Sequence, residues 1–484
     1  MMEFISNHLW ELSILLNYII VVIAVVTLLL GNLSPTKTLS YLLALIVLPY
    51  VGLIFYYLFG QEYRKTKIFK RKNILNQQNI KEWRRNLELS EKRLEHFDDE
   101  EMGDKIKLVH LLKTNEEAPV TIKNKVDILI DGAAKFERLF EDIENAKETI
   151  HLEYYIFKDD SLGKELIDLL CQKSEQGLEV RLNYDSVGSS LSAKTKKKMK
   201  ESGIEFYPFM PVYFPKFTSK MNYRNHRKMV IIDGLIGYVG GINVSDRYVN
   251  RNSKTFWRDT HLRIEGEAVG SLQLYYMLNW DFVTENDFEI KDHYFPKTSV
   301  DNQTAVQIAA SGPDTDWASI MEAMFTAINS ADKTINICTP YFIPNEQIIT
   351  ALVAASKSGV KVRLIVPEKS DSWAAKYATY SYLQRLMEAG AEVYFYTKGF
   401  IHAKMITVDD VFTTIGTSNM DNRSFNINFE INALIYDAAI TKEAQKIFEK
   451  DLEDCRLLDK ESWSNRKVTQ RFKESFCRLW APLL

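Results

Sequence analysis

The chain reads HRKMVIID from His226 to Asp233 and HAKMITVD from His402 to Asp409. Both stretches follow the pattern H-x-K-x-x-x-x-D. A chain of 484 residues with 8 His, 61 Lys+Arg and 64 Asp+Glu would contain the corresponding charge pattern by chance only about 0.13 times. Asn243 and Asn419 each lie 17 positions after the histidine of their own copy. This repetition indicates a duplicated unit.

The sequence around the two motifs is repeated as well. Residues 136–156 (FERLFEDIENAKETIHLEYYI) and 320–342 (IMEAMFTAINSADKTINICTPYF) each predict an amphipathic helix followed by a β-rich run. In both copies a further helix leads to a second β-rich run, GLEVRL at 177–182 and GVKVRL at 359–364. Strands that alternate with helices predict an α/β fold, here with two pseudo-symmetric halves that share one active site.

The length and composition limit the classes of protein to which the chain can belong. The chain is too long for one ordinary core, and 46% hydrophobic with 26% charged residues excludes a disordered or fibrous protein. A net charge of −3 argues against a general nucleic-acid coat, which needs a large positive excess. Without a C-x-x-C pair, neither a disulfide framework nor a zinc site is predicted, and a reducing compartment is the simplest interpretation of the four cysteines, Cys171, Cys338, Cys455 and Cys477.

Two apolar runs near the N-terminus predict a transmembrane hairpin within residues 1–62. The runs Leu12–Leu30 and Leu39–Phe59 are each about the 20 residues that a helix needs to cross a bilayer. A polar loop, residues 31–38, separates them. A secretory signal peptide is disfavoured for the first run, because its start is acidic and carries no Lys or Arg.

The charges beside the apolar runs predict their orientation. The loop between them holds only Lys37, whereas six basic residues follow the second run: Arg64, Lys65, Lys67, Lys70, Arg71 and Lys72. Because positively charged flanks stay in the cytoplasm, both termini and the catalytic part should face it. This basic cluster should also attract anionic lipid headgroups at about 1 kcal/mol per residue. We expect residues 63–120, including the helix-prone Trp83–Glu101, to connect the hairpin to a first half at 121–300 and a second at 301–484.

Strand geometry predicts which motif residues point the same way. Between His and Asp both motifs are apolar and β-prone, and side chains two residues apart lie on the same face of a strand. His226 and Lys228 therefore share a face, as do His402 and Lys404. Asp233 and Asp409 lie at an odd offset from their histidines, so we expect them near a strand end, where they organise the site without touching substrate.

Two His, two Lys and two Asn that converge would form a pocket for an anionic tetrahedral group. Metal binding is disfavoured, because Lys is a hydrogen-bond donor and no carboxylate or Cys lies at ligand spacing. One imidazole could attack phosphorus while the other gives a proton to the leaving oxygen. Glu430 and Asp259 are the candidate carboxylates that orient the two histidines. The alternative for these two acids is an ordinary surface position.

These residues resemble the phospholipase D superfamily and, in detail, its bacterial cardiolipin synthases. The resemblance covers essentially the whole chain. It includes the membrane hairpin and six motifs: NHRKMVIIDG (225–234), GGIN (240–243), WRDTH (257–261), TPYFIP (339–344), FIHAKMITVD (400–409) and GTSNMDNRSFNINFE (416–430). Both halves should therefore be phospholipase D-like.

The resemblance implies transphosphatidylation without a metal or other cofactor, in which two phosphatidylglycerols give cardiolipin and glycerol at the bacterial cytoplasmic membrane. It implies that His226 forms a phosphohistidine intermediate and that His402 acts as acid and then as base. Glu430 and Asp259 would orient these histidines. The phosphate oxygens would be held by Lys228, Lys404, Asn243 and Asn419. Oligomeric state, acyl-chain preference and processing of the hairpin stay open at this level.

Other functions are weighed against this one. A membrane-bound phospholipase D would transfer the phosphatidyl group to water or another alcohol with the same residues, so the sequence leaves the acceptor open, and only the resemblance assigns the nucleophile to one histidine. The membrane hairpin and the net negative charge disfavour a nuclease or another nucleic-acid partner. A non-enzymatic scaffold is disfavoured because both motifs are complete.

Three further segments carry weaker signals. Lys194–Lys200 is expected to be a solvated helix face. Tyr207–Phe217 mixes aromatic residues with prolines and is expected to be irregular, either a loop at the pocket mouth or a buried loop. A C-terminal helix is expected to pack on the core, in preference to docking on a membrane, through Phe472, Phe476, Leu479 and Trp480.

Overall fold

The structure, a computed structural model, describes residues 8–30, 35–55, 105–116, 118–211, 223–251, 253, 255–284, 290–313, 315 and 317–484. The described residues form two compact units. One unit contains those up to residue 55 together with Tyr223, and the other contains those from Lys105 onward. The basic cluster at 64–72 and the helix-prone stretch Trp83–Glu101 lie outside the described residues.

The N-terminal unit begins with one long apolar helix, α1 (Leu9–Leu30). Its 21 residues from Trp10 to Leu30 are long and apolar enough to cross a membrane, and no other helix among the described residues is. Ala24 and Leu28 of α1 are buried together with Leu45, so α1 packs against the apolar segment that follows it. The first predicted span is therefore present as a single helix.

The second predicted span is interrupted, so a hairpin of two straight membrane helices is supported only in part. Helix α2 (Pro35–Val47) and helix α3 (Pro49–Phe55) are separate, and residues 56–59 lie outside the described chain. A proline at position 49 has no main-chain N–H to donate to the carbonyl four residues earlier, which accounts for the end of α2 before it. The bend is tight, because a Cβ added to Gly52 would lie 2.5 Å from the Ala44 carbonyl oxygen.

The larger unit contains two large sheets and two short two-stranded ones. Its first strands are β1 (Val120–Thr121), β2 (Asn124–Ile130), β3 (Thr149–Tyr154), β4 (Glu179–Asp185), β5 (Glu205–Phe209), β6 (Lys228–Ile232), β7 (Ile236–Gly240), β8 (Phe256–Arg258) and β9 (Thr260–Gly266). Seven of them form one sheet in the order β2-β9-β7-β6-β3-β4-β5, in which β3, β4 and β5 are parallel and the others antiparallel.

The remaining strands are β10 (Ala305–Ser311), β11 (Thr334–Cys338), β12 (Phe342–Ile343), β13 (Lys361–Pro367), β14 (Glu392–Tyr396), β15 (Gly399–Ile401), β16 (Met405–Val408), β17 (Phe412–Gly416), β18 (Met420–Asp421), β19 (Glu430–Tyr436) and β20 (Cys455–Leu457). The short strands β12 and β18 pair with each other, and β15 pairs with β8. The other eight strands form a nine-stranded sheet with β1, in the order β1-β10-β19-β17-β16-β11-β13-β14-β20. From β10 to β14 this sheet repeats the order and the strand directions of the first. The predicted α/β fold of two pseudo-symmetric halves is confirmed.

Helices flank both sheets. They are α4 (Ile106–Glu116), α5 (Asp131–Glu144), α6 (Ser161–Glu175), α7 (Ala193–Glu201), α8 (Ala268–Thr284), α9 (Ser319–Asn329), α10 (Glu346–Lys357), α11 (Trp373–Ala389), α12 (Asn422–Asn426), α13 (Ala438–Glu453), α14 (Lys460–Ser464) and α15 (Val468–Arg478). The α5 and α6 helices cover the first sheet through fully buried residues such as Leu139 and Leu166.

The inner faces of the two sheets pack on each other. Val239 of β7 and Leu262 of β9 are fully buried in one apolar cluster with Ile415 of β17 and Ile431 of β19. Each such side chain contributes about 1.5–3 kcal/mol on burial. This shared core fixes the halves as one body, so that the segments before β6 and β16 meet.

The described end of the predicted connector belongs to the second half. Leu108 and Leu112 of α4 are fully buried in the core of the nine-stranded sheet, and β1 pairs with β10. Gln307 donates a hydrogen bond to the Ala118 carbonyl at 2.9 Å. The apolar face of α4 explains this position, because it would otherwise remain in water.

Two of the weaker predictions can be compared with the structure. Lys194–Lys200 lies in α7 with most of its lysines exposed, as predicted. Part of Tyr207–Phe217 is regular, contrary to prediction, because Tyr207 and Pro208 lie in β5; residues 212–217 lie outside the described chain. Pro208 is tolerated because β5 is the edge strand of its sheet.

The prediction for the C-terminal helix is wrong. Its four apolar residues, Phe472, Phe476, Leu479 and Trp480, are exposed. On the opposite side of α15, Glu474 and Cys477 are buried, and Cys477 packs with Ala375 and Ala378 of α11. A helical spacing identifies an apolar face, but it does not specify what that face contacts.

Candidate active site

The two histidines are held where the two halves meet. His226 lies two residues before β6, and His402 lies three residues before the equivalent strand β16. The main-chain N–H of His226 donates to the Phe429 carbonyl at 2.9 Å, and that of His402 donates to the Arg258 carbonyl at 2.7 Å. Each motif strand is therefore joined at its start to the opposite half. The parallel pairing of β15 with β8 reinforces the second junction.

Each imidazole is oriented by a carboxylate from the opposite half. Nδ1 of His226 lies 2.9 Å from both carboxylate oxygens of Glu430, and Nδ1 of His402 lies 2.7 Å from Oδ2 of Asp259. In both cases the acid directly follows the residue whose carbonyl accepts the histidine N–H. All four side chains are buried. The contact at Nδ1 leaves Nε2 of each ring for a reacting group.

The two motif lysines lie beside their histidines, as predicted, although both histidines and Lys404 precede their strands and only Lys228 lies within one. Lys228 Nζ donates to the His226 carbonyl and Lys404 Nζ to the His402 carbonyl, each at 2.5 Å. Lys404 Nζ also lies 3.1 Å from Nε2 of His402. Burial lowers the pKa of Lys228 to about 7 and that of Lys404 to about 8. A bound anion would restore their charge, so the pair suits a phosphate group.

The two imidazoles are neutral without a bound anion. Burial lowers the pKa of His226 to about 4, against the opposing charge of Glu430. Burial, with Lys404 and Lys228, also lowers the pKa of His402 well below its ordinary value. A neutral imidazole is the form that can act as a nucleophile or base.

The two carboxylates differ in charge. Burial raises the pKa of Asp259 to about 7, although Lys404 opposes the shift. Burial also acts to raise the pKa of Glu430, but His226 and Lys228 outweigh it and hold that pKa below its usual range. Near neutral pH Glu430 is therefore ionised, whereas Asp259 is close to half protonated.

The two motif asparagines make contacts within the protein. Oδ1 of Asn243 accepts from the Ile156 N–H at 2.9 Å, and its Nδ2 donates to the Tyr248 hydroxyl at 2.6 Å. The main-chain N–H of Asn419 donates to Ser424 at 3.1 Å. Oδ1 of Asn419 is buried and has no hydrogen-bond partner among the described residues. The structure thus ties Asn243 into its own half more completely than Asn419.

The two motif aspartates do not join the histidines. The Asp233 carboxylate accepts from the main-chain N–H groups of Lys147, Glu148 and Thr149 at 2.8–2.9 Å. Asp409 accepts equivalent bonds from Asp332, Lys333 and Thr334, and it also pairs with Lys105 at 2.6 Å. Both aspartates have φ near +50°, a region that Asp tolerates better than most residues. They close the turns before β3 and β11, the strands beside β6 and β16.

Two arginines near the pocket were not among the site residues predicted from the sequence. Arg247 and Arg423 each lie 21 residues after a motif histidine, an offset that would have revealed them. The Arg247 guanidinium stacks on Trp257 at 4.4 Å, and the Trp257 ring lies 5.6 Å from the His402 ring. Nε of Arg247 is buried with no hydrogen-bond partner among the described residues. Arg423 instead donates to Asn428 and to the Leu483 carbonyl.

The predicted site also did not include an aromatic residue that lies beside His226. The ring of Tyr155 lies 5.0 Å from that of His226 in an edge arrangement, and Lys228 Nζ lies 5.4 Å from the same tyrosine ring. Tyr155 directly follows β3. It belongs to the stretch 136–156, whose pattern predicted only the repeated helix and strand. An aromatic wall excludes water from a charged site and strengthens the electrostatic interactions within it.

Comparison with protein families matches both halves and the N-terminal region. A family model described as "Cardiolipin synthase, PLD-like domain" matches residues 139–266 and 324–452. A second, "Phospholipase_D-nuclease N-terminal", matches residues 19–61. The first model covers most strands of the two large sheets, and the second covers α2, α3 and the part of α1 from residue 19 onward.

Curated relatives are similar over nearly the full chain. A cardiolipin synthase of Halalkalibacterium halodurans is 40% identical over 99% of this chain and 96% of its own length. The major cardiolipin synthase ClsA of Bacillus subtilis is 39% identical over 99% of this chain and 100% of its own. Among solved structures, the phosphatidylserine synthase of Haemophilus influenzae aligns with a TM-score of 0.61 at 16% identity, covering 78% of this chain and 100% of its own, which indicates a common fold.

Proposed function

Because the chain belongs to the cardiolipin synthase family with PLD-like domains, we propose that it joins two phosphatidylglycerols into cardiolipin and releases glycerol. It is a phosphatidyltransferase of the phospholipase D type. The observation that carries this proposal is the exchange of carboxylates, by which Glu430 orients His226 and Asp259 orients His402. That arrangement provides one nucleophile and one acid–base group for a single phosphorus atom, between halves at 121–300 and 301–484.

In the first step Nε2 of His226 attacks the phosphorus of one phosphatidylglycerol. A phosphorus–nitrogen bond forms, the bond from phosphorus to the glycerol oxygen breaks, and glycerol leaves with a proton from His402. The ionised Glu430 supports His226 as the nucleophile, because a carboxylate at Nδ1 makes the imidazole more basic. The bound phosphate supports the charged form of His402, since an anion nearby raises a histidine pKa.

In the second step the intermediate is transferred to another lipid. His402, now neutral, takes the proton from a glycerol hydroxyl of the second phosphatidylglycerol, and that oxygen attacks phosphorus as the bond to His226 breaks. Asp259 at Nδ1 stabilises the imidazolium that forms. One phosphodiester replaces another, so the exchange needs no ATP and is reversible.

The other residues shared by the two copies of the repeat hold the phosphate and support the site. Lys228 and Lys404 balance the charge of the phosphate oxygens. Asn243 and Asn419 contribute N–H donors, although one donor of Asn243 is already used by Tyr248. Asp233 and Asp409 do not contact the phosphate; they stabilise the turns before β3 and β11.

A second candidate function is hydrolysis of phospholipids, or transfer to another alcohol, by the same residues. The position of Arg247 favours a lipid hydroxyl over water as the acceptor. Its guanidinium lies on the His402 side, where the acceptor enters, and it can bind the phosphate that a second phosphatidylglycerol carries and that water lacks. The enzyme would act as an integral, multi-pass protein of the bacterial cytoplasmic membrane with its larger unit in the cytoplasm, a setting supported by α1 and the N-terminal family match.

The test uses the full chain in vesicles with labelled phosphatidylglycerol. Cardiolipin and free glycerol in equal amounts support the proposal, whereas phosphatidic acid as the main product would support the hydrolase. His110→Ala is a matched control, because His110 is exposed on α4. An oligonucleotide is added to the same assay, and its cleavage would indicate a nuclease and support neither function.

A further inference from the structure

The C-terminal helix exposes its apolar side. Val468 is 77%, Phe472 71%, Leu479 77% and Trp480 46% exposed, and Phe476 is 45% exposed. At 100° per residue Val468, Phe472 and Phe476 lie within one quarter of the α15 surface, and Leu479 and Trp480, which directly follow the helix, extend this apolar surface. We call these five residues the docking face. A contiguous exposed apolar face of this kind marks an interaction site.

The opposite side of α15 is polar and attached to the protein. Glu474 is 2% exposed and forms an ion pair with Arg466 at 2.6 Å. Gln470 donates to the same carboxylate at 3.0 Å. The helix thus reverses the usual pattern of a surface helix, whose apolar side faces the core. Because its polar side is anchored by this buried ion pair, α15 cannot rotate to bury the docking face.

Basic residues border the docking face on both edges. Lys467, Arg471 and Arg478 follow one edge, Lys473 follows the other, and Arg471, Arg478 and Lys473 are exposed. An apolar centre with Trp and Phe between cationic flanks is typical of helices that lie in the membrane interface. A second copy of the chain would bring like charges together at both edges. The charge pattern therefore favours a surface of anionic lipid.

The end of α15 is connected to the active site. The main-chain N–H of Arg423 donates to the Leu484 carbonyl at 3.1 Å, and Asn422 donates to the Ala481 carbonyl at 3.3 Å. Arg423 also donates to Asn428, which in turn donates to the Glu430 carboxylate beside His226 at 3.3 Å. A lipid surface that receives the docking face is thereby held close to the pocket.

We propose that the docking face binds the interfacial layer of an anionic bilayer and seats the active site on the lipid surface from which its substrates come. This is a contact separate from any membrane-spanning segment. The bilayer takes up the five apolar side chains, and the basic edges contact the phosphates of anionic lipids. The contact would exist whether or not the chain synthesises cardiolipin.

A quenching experiment on the full chain tests the contact without using activity. Phe472→Cys and, as a matched control, Lys446→Cys on the exposed side of α13 are labelled with an environment-sensitive fluorophore, with the parent chain as the background for its own cysteines. The probe is a vesicle of phosphatidylglycerol and phosphatidylcholine that carries spin-labelled lipid. We expect strong quenching at position 472 and none at 446. Equal quenching, or none at 472, would overturn the proposal.

A kinetic experiment adds a functional readout. In Phe472→Ser/Leu479→Ser we expect cardiolipin formation from vesicle-embedded lipid to fall about tenfold, while the rate with dispersed short-chain phosphatidylglycerol stays within about twofold. An unchanged vesicle rate would overturn the proposal. A parent chain that is quenched at position 472 but makes no cardiolipin would contradict the proposed function and leave the docking face intact.

Discussion

His226 and His402 receive the same contacts from the opposite half, yet the carboxylates that hold them differ. Each histidine donates its main-chain N–H to one residue and hydrogen-bonds its ring to the next. Glu430, beside His226, keeps a low pKa, whereas the pKa of Asp259, beside His402, is raised to about 7. A duplicated backbone thus provides two histidine environments with equivalent main-chain contacts and unequal charge.

This difference suggests how a symmetric fold carries out an asymmetric reaction. A nucleophile is favoured by a partner that stays ionised, whereas an acid–base group benefits from a partner whose charge can adjust. The change from Glu in one half to Asp in the other shortens the side chain and alters its contacts. Thr417 donates to Glu430 at 2.6 Å, whereas Asp259 accepts from the Thr260 N–H at 2.7 Å.

The largest effects are expected from the histidines. His226→Ala and His402→Ala should each lower the initial rate of cardiolipin formation by at least about 10³-fold, because the two act as one unit. The measurement is turnover of labelled phosphatidylglycerol by the full chain in vesicles, with His110→Ala as the control at parental rate. If either variant retained a tenth of the parental rate, the claim that both histidines are required for catalysis would be wrong.

Replacing each carboxylate in turn should reveal the functional difference between the two halves. His226 must be neutral to attack, and its pKa is lowered to about 4, so the rate of the first step should stay level from pH 7 down to about 5 and fall only near 4. A substrate with a p-nitrophenol leaving group isolates that step. Glu430→Gln should slow it by about 10- to 100-fold and move the acid limb lower, since Glu430 raises the pKa of His226.

Asp259→Asn serves as the matched variant in the same assay. It should leave the position of the acid limb unchanged and reduce mainly the reaction with natural phosphatidylglycerol, whose glycerol needs a proton. An acid limb near 6.5 in the parent would contradict the lowered pKa of His226. Identical pH profiles for both variants would remove the proposed difference between the halves.

A smaller effect is expected from the arginine near His402. Arg247→Ala should lower the ratio of cardiolipin to phosphatidic acid about tenfold, since a charge-assisted hydrogen bond contributes about 1.5–3 kcal/mol. The rate of intermediate formation should change little. Arg247→Lys, which keeps the charge, should recover part of the ratio. A ratio unchanged by either substitution would show that the acceptor phosphate binds elsewhere.

The smallest effects on turnover are expected from the motif aspartates, which act on stability. Asp409→Asn should lower the apparent melting temperature more than Asp233→Asn, because it removes the carboxylate that pairs with the buried Lys105 and leaves it only the Ser330 carbonyl, at a cost of about 3 kcal/mol. Turnover per folded molecule should stay near the parental value in both. Equal shifts in melting temperature would indicate that the Lys105 pair contributes nothing.

The sequence predicted those features that depend on local pattern. The duplicated motifs and their strand periodicity predicted the α/β halves, and residue parity placed Lys228 and Lys404 beside their histidines. The exchange of Glu430 and Asp259 between halves was not predictable, because it depends on how two distant segments pack. The direction of the α15 docking face escaped prediction for the same reason. Pro49 shows that length and apolarity alone do not make a continuous helix.

The central claim is that one shared site uses His226 as its nucleophile and His402 as its acid and base. The most direct measurement is to incubate the full-length His402→Ala variant with the p-nitrophenol substrate, quench it, and locate the adduct by mass spectrometry. We predict a phosphatidyl group on His226 and no adduct in the His226→Ala variant. The same adduct on another residue, or rapid turnover without any adduct, would contradict the account.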